Sequence, residues 1–168
     1  VCPFDSMGAT MATYGGQNAG GYKLDRLHKG LGSCIILGAV YSVIGLLIIA
    51  AFGPHLLKLF VSGSETGILA DAQHFLLING LFYFPLALVN IVRFMIQGMG
   101  FGFFAIIAGV LEMAARTLVG AVLVPIFGYN AACFASPLAW IFADCFLIPA
   151  YFVVWNRMKR HKEAYRQV

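Results

Sequence analysis

The stretch SCIILGAVYSVIGLLIIAAF, Ser33 to Phe52, carries no charged residue. A helix rises about 1.5 Å per residue, so roughly 20 apolar residues match the roughly 30 Å hydrocarbon thickness of a bilayer. The segment therefore reads as a membrane span, and the rest of the chain is best measured in spans of the same kind.

Composition agrees with that reading. A soluble domain is about half apolar and about a quarter charged. Here 61% of 168 residues are hydrophobic and 11% are charged. Four full spans follow from long runs poor in charge: 31–52, ending at the terminator pair Gly53 and Pro54, then 75–96, 103–126 and 133–154. The connections VSGSETG, GMGFG and GYNA between them are turn chemistry. Residues 1–14 are apolar enough to close a further helix but too short to cross alone. With no initiator methionine and no basic n-region, the chain reads as part of something longer. The fold class expected is an all-α polytopic transmembrane helix bundle, four spans plus the end of a fifth.

Cys2, Cys34, Cys133 and Cys145 show neither CxxC nor Cys/His ligand spacing, and read as small packing residues. Among the titratable residues no HExxH, GxSxG, Walker A or GxGxxG pattern appears, which removes the usual support for hydrolase, ATPase and dinucleotide readings. No cofactor is expected, and the basic run RMKRHKEAYR directly after a span reads as an anchor to anionic lipid, with no nucleic-acid partner.

Orientation comes from the basic residues, which collect in cytoplasmic loops. Lys23, Arg26 and Lys29 precede the first span, and Arg157, Lys159, Arg160, Lys162 and Arg166 follow the fourth, in a tail at 155–168. Four crossings put both clusters on one side, which is then cytoplasmic, with Ser62 to Thr66 and Gly128 to Ala131 facing outward. The location expected is multi-pass in a cell membrane, such as the bacterial inner membrane, with the lipid bilayer as partner.

Gly15 to Gly30, GGQNAGGYKLDRLHKG, resembles the loop after the second helix of each half in the multidrug and toxic compound extrusion (MATE) family, written GQNxGAG and followed by a basic residue and a helix. NIVRFMIQGMG and AGVLEMAARTLVGAVLVPIFGYNAACFASPLAW resemble later helices of that family's carboxy-terminal half. Gly21 stands where the pattern has alanine, and Tyr22 where it has glycine. The resemblance implies a twelve-helix transporter of two lobes that alternate access. Here 1–20 would be the end of helix 8, and 31–52, 75–96, 103–126 and 133–154 helices 9 to 12. The amino-terminal lobe would be missing, and the chain would not transport by itself. Gly16, Gln17, Asn18 and Gly20 would form the structural loop, the glycines giving the tight turn and the two amides bonding exposed helix-end backbone.

Polar residues inside spans are costly and so are functional suspects. Glu112 and Arg116 stand four apart on one face of the third span. Counted at about 1.5 Å per residue from the cytoplasmic end, Glu112 lies about 13 Å deep, Arg116 about 20 Å and Asp144 about 15 Å. Arg116 is expected to bridge both acids. As structure this is an ion-pair network joining the last two spans; as function it is a cation or proton relay. The structural reading is favoured, because Arg116 already neutralises one acid. Ser136, Trp140 and Asp144 recur every four residues, a polar face that should point at protein. In the second span Pro85 frees the carbonyl of Leu81 and predicts a kink. Beyond it Asn90, Arg93 and Gln97 share a face that either lines the mouth of a cavity or packs helices, with Arg93 snorkelling to the interface. FPLALVN lacks the acidic residue that some branches of the family use there to bind the coupling ion.

The function expected from the resemblance is a secondary active antiporter that exports small amphipathic, often cationic compounds against sodium or proton entry. A flippase for lipid-linked oligosaccharides is the alternative within the superfamily. An intramembrane enzyme using Asp71, His74 or Glu112 is disfavoured, since no nucleophile and base sit at a recognisable spacing. FYF at Phe82 to Phe84 and Met95, Met99 and Met113 could touch lipophilic cargo, but in so aromatic a chain they read first as core or lipid-facing.

Overall fold

The structure, a computed structural model, describes residues 2–58 and 66–166. The order is α1 (Cys2–Gly20), α2 (Leu24–Leu57), α3 (Thr66–Leu81), α4 (Tyr83–Gly98), α5 (Gly102–Leu118), a wide turn at Val119–Leu123, α6 (Val124–Phe127) and α7 (Tyr129–Arg166). It is an all-α bundle. The expected outer connection at Ser62 to Thr66 lies outside the described residues except for Thr66, where α3 begins.

Several boundaries differ from expectation, each for a local reason. Most of the Gly15–Gly30 stretch is helix and not loop: α1 runs to Gly20 and α2 starts at Leu24. Nor does α2 stop at Gly53 and Pro54; it continues to Leu57 with Pro54 inside. In an apolar surround an unfinished helix end is expensive, so losing one backbone bond at a proline costs less than leaving the helix. Gly53 also leaves room for the side chain of Gln73 from α3, whose amide N–H points at the Ile49 carbonyl at 3.5 Å.

The expected kink is present and sharp. The second span is two helices, α3 and α4, meeting at 51° around Phe82, and Pro85 sits in the first turn of α4, where a missing N–H does no harm.

The third span was expected at 103–126 as one run. Instead the Val124 N–H donates to the Val119 carbonyl, five residues back. This widened turn precedes Pro125, whose ring would otherwise press on the carbonyl of Ala121. The fourth span starts at Tyr129, with the chain reversing at Gly128 alone, and the basic tail is its direct helical continuation to Arg166.

Helix α4 is the hub, packed by α1, α2, α5 and α7, and Ala87, Ile91, Met95 and Ile96 on it are wholly buried. Its closest neighbour is α1. A β-carbon on Gly98 would overlap the Ala12 backbone, and one on Gly16 would lie 3.0 Å from the Gly98 carbonyl oxygen. Small residues let the two backbones touch, which is how helices associate where no hydrophobic effect drives them. Gly16 is therefore a packing glycine inside α1 and not a turn residue, while Gly20 faces open space.

Outside this core the surface is apolar. The most hydrophobic window of α2 has a mean hydropathy of 2.6, yet only 11% of it is buried within the bundle. Ile36, Leu37, Leu47 and Phe52 all project outward, so the medium around them must itself be apolar. Among the described residues three helical stretches are long and apolar enough to cross a membrane, or four if the bent pair α3–α4 is one span.

Candidate functional site

Two tight turns at the basic end of the bundle fix which side chains can meet. Between α4 and α5, the Phe101 N–H bonds to the Ile96 carbonyl and the Gly100 N–H to that of Gln97, with Gly100 at φ 94°. Between α1 and α2 the pattern repeats: the Lys23 N–H bonds to the Asn18 carbonyl and the Tyr22 N–H to that of Ala19. Both are Schellman closures, in which a left-handed residue ends the helix. In the second the left-handed residue is Tyr22, at φ 52°, and not one of the flanking glycines.

These bonds also correct the roles expected of Gln17 and Asn18. Their backbone carbonyls are closed by the N–H groups of Gly21 and Lys23, and the Asn18 side chain donates instead to the Tyr14 carbonyl within α1 at 2.9 Å. Tyr14 ties the two helices together, its hydroxyl donating to the Arg26 carbonyl at 2.8 Å.

The turn at Gly100 makes α4 and α5 antiparallel neighbours, and across their interface Arg93 meets Glu112. Arg93 Nη2 lies 2.5 Å from Glu112 Oε2, and Arg116 Nη2 lies 2.7 Å from Glu112 Oε1. The acid is the bridge, held between two arginines. The expected arrangement, with Arg116 bridging two acids, is not formed: the Arg116 side chain is 47% exposed and turned to Glu112 along its own helix, whereas Arg93 and Glu112 are 20% and 14% exposed. Arg93 reaches inward to this partner and does not snorkel. Sequence reading missed the pairing, although counting residues on either side of the Gly100 turn puts both side chains within a long arginine's reach.

Asp144 completes the cluster from α7. It is 8% exposed, its Oδ1 has no hydrogen-bond partner, and Arg93 Nε is likewise buried without one. Arg93 and Glu112 are the charges that bear on it. Arg93, Glu112 and Asp144 thus come from α4, α5 and α7, which pack together, and Arg116 joins them through Glu112. Trp140 is buried on the same face of α7 and Ser136 half-buried, so the polar stripe expected there does point at protein.

The remaining suspects divide. Asn90 is buried and donates to the Leu86 carbonyl in its own helix at 3.1 Å, while Gln97 is exposed at the basic end. Met95 and Met99 are core; Met113 faces outward. Cys34 and Cys133 are buried as packing residues, but Cys2 and Cys145 are exposed. Among the described residues no three His, Cys, Asp or Glu side chains come together as a metal site.

An apolar cleft of about 330 Å³ lies nearby between α2, α4 and α7, lined by Leu31, Ile35, Val92, Ile148 and Tyr151. His28 also lines it, its ring centre 4.2 Å from that of Trp155.

The MatE family model matches residues 1–126, three quarters of the chain. No curated protein and no solved structure matches.

Proposed function

The chain belongs to the MatE family of membrane transporters, and on that premise we propose that it serves a secondary active antiporter exporting small amphipathic or cationic compounds against sodium or proton entry. One observation carries the antiport reading: a charge cluster held inside the bundle, with one acid lacking a partner. Charges at that depth cost several kcal/mol and are retained where they bind or couple. The apolar cleft beside His28, Tyr151 and Trp155 suits a flat, lipophilic cation, since aromatic faces attract positive charge.

The flippase alternative calls for an open groove of arginines facing a lipid phosphate. Arg93 and Arg116 both engage Glu112, which favours efflux of small compounds. The basic end, with Lys23, Arg26, Lys29 and the end of α7, would face the cytoplasm of a cell membrane, and a second lobe would complete the pathway.

The test is transport in lipid vesicles containing the whole transporter, with a fluorescent cation as cargo and sodium or pH gradients imposed in turn. Cargo movement against its own gradient, driven by one of the two, is expected. Movement indifferent to both gradients would refute antiport.

A further inference from the structure

Two unmet needs of opposite kind sit together in the cluster. Arg93 Nε is a buried donor without an acceptor, and Asp144 Oδ1 a buried acceptor without a donor. A buried polar atom left unpaired is costly, and a lone buried carboxylate far more so. The two orphans sit on helices that pack on each other, α4 and α7, and in a second arrangement each could satisfy the other.

We propose that Asp144 is a proton-binding site and that Arg93 changes partners with its charge. With the proton on Asp144, an O–H bond makes the acid neutral, and Arg93 is held by Glu112 alone, the arrangement observed. When the proton leaves to water, the carboxylate takes the Nε–H of Arg93, and Glu112 keeps Arg116 as its cation. The Arg93 Nη2–Glu112 hydrogen bond is given up in exchange, and the only covalent bond that changes is the O–H of Asp144.

The surroundings favour a proton over a metal ion. Arg93 from α4 and Glu112 from α5 are the charged groups that face Asp144, and the wide turn, Val119–Leu123, contributes none. On α3, Asp71 is tied to the far end of α7, where the Tyr129 hydroxyl bonds its carbonyl; His74 is one turn along. Tyr129 is roughly 22 Å along α7 from Asp144 at 1.5 Å per residue. A sodium ion would need several oxygen ligands and no adjacent guanidinium, whereas a proton needs one oxygen. The charge sum then supplies coupling. The cluster is neutral with Asp144 ionised and carries one positive charge with it protonated, so a proton and a cationic cargo repel each other across the low-dielectric interior.

This inference rests on the antiport reading for its purpose, but its first test needs no cargo. Infrared difference spectra of the whole transporter in lipid vesicles, taken between acidic and alkaline pH, should contain the carbonyl stretch of a protonated carboxyl. Asp144→Asn should remove that band and Glu112→Gln should keep it. Asp144→Glu should restore it at a shifted frequency, and Arg93→Met should move its midpoint to higher pH. A band absent from the wild type, or unchanged in Asp144→Asn, would overturn the proposal. In transport, Asp144→Asn should lose pumping driven by a pH gradient. Pumping driven by sodium and untouched by Asp144→Asn would also overturn it. A wild type with the Asp144 band that moves none of the cations tested leaves the proton site standing and refutes the efflux reading alone.

Discussion

Gly98 of α4 lies so close to Ala12 of α1 that a single added methyl group would overlap the Ala12 backbone. Backbone cannot swing aside as a side chain can, so the helices would have to separate. Gly98→Ala is expected to lower stability by about 1–3 kcal/mol, seen as a fall in the thermal unfolding temperature in detergent. Gly109→Ala is the control: nothing lies within 4 Å of its β-carbon position, and the gain in helix propensity of up to about 1 kcal/mol should show instead. Equal behaviour of the two variants would mean that α1 and α4 do not touch at this point.

Glu112 is the acid on which two arginines converge, so its loss should be worse than the loss of either partner. Glu112→Leu leaves Arg93 buried without its counter-charge and should cost about 3–5 kcal/mol, while Arg93→Met with Glu112→Leu removes the orphan and should recover most of it. Arg116→Met should cost under about 1 kcal/mol, since that side chain is half in the surround. Thermal unfolding of the three variants measures this; a double variant no better than Glu112→Leu would contradict the pairing.

Tyr22 and Gly100 occupy the same position in two like turns, which makes a matched pair of substitutions informative. A left-handed backbone costs a non-glycine residue about 1–2 kcal/mol. Tyr22→Gly should relieve that strain, offset in part by the contacts of the ring, and Gly100→Ala should introduce it. Opposite shifts in unfolding temperature are expected. Destabilisation by Tyr22→Gly equal to that of Gly100→Ala would show that the ring's contacts outweigh the backbone.

Much of this was legible in the sequence, and the parts that were not share a cause. Spans, turns and the Pro85 kink are written in runs of apolar residues and in single breakers, which act within a few residues of themselves. The partner of Glu112 is not local: Arg116 is the neighbour any helical wheel offers, and Arg93 becomes one only after α4 and α5 fold back on the Gly100 turn. Tyr22 misled for a different reason. With two glycines beside it, propensity assigns the left-handed turn to them, but the hydrogen bonds to Asn18 and Ala19 fix the register one residue later. The wide turn at Val119 likewise depends on where Pro125 falls relative to the end of its span.

Topology gives a prediction independent of stability. With Cys2 and Cys145 replaced, cysteines introduced at Asn130 and Lys162 lie at opposite ends of α7 and should react with a membrane-impermeant reagent from opposite sides of a cell, Asn130→Cys from outside. Labelling of both from one side would show that α7 does not cross.

The wide turn between Val119 and Leu123 holds one residue more than a regular helix would. One residue changes the facing of everything beyond it by about 100°. The two parts of the third span therefore answer to different clocks. Glu112 and Arg116 keep their phase from the Gly100 end, and Ile126 and Phe127 take theirs from Gly128. A chain built this way can gain or lose a residue at the far end without rotating its acid away from Arg93, so the outer rim is free to drift while the charged interior stays in register.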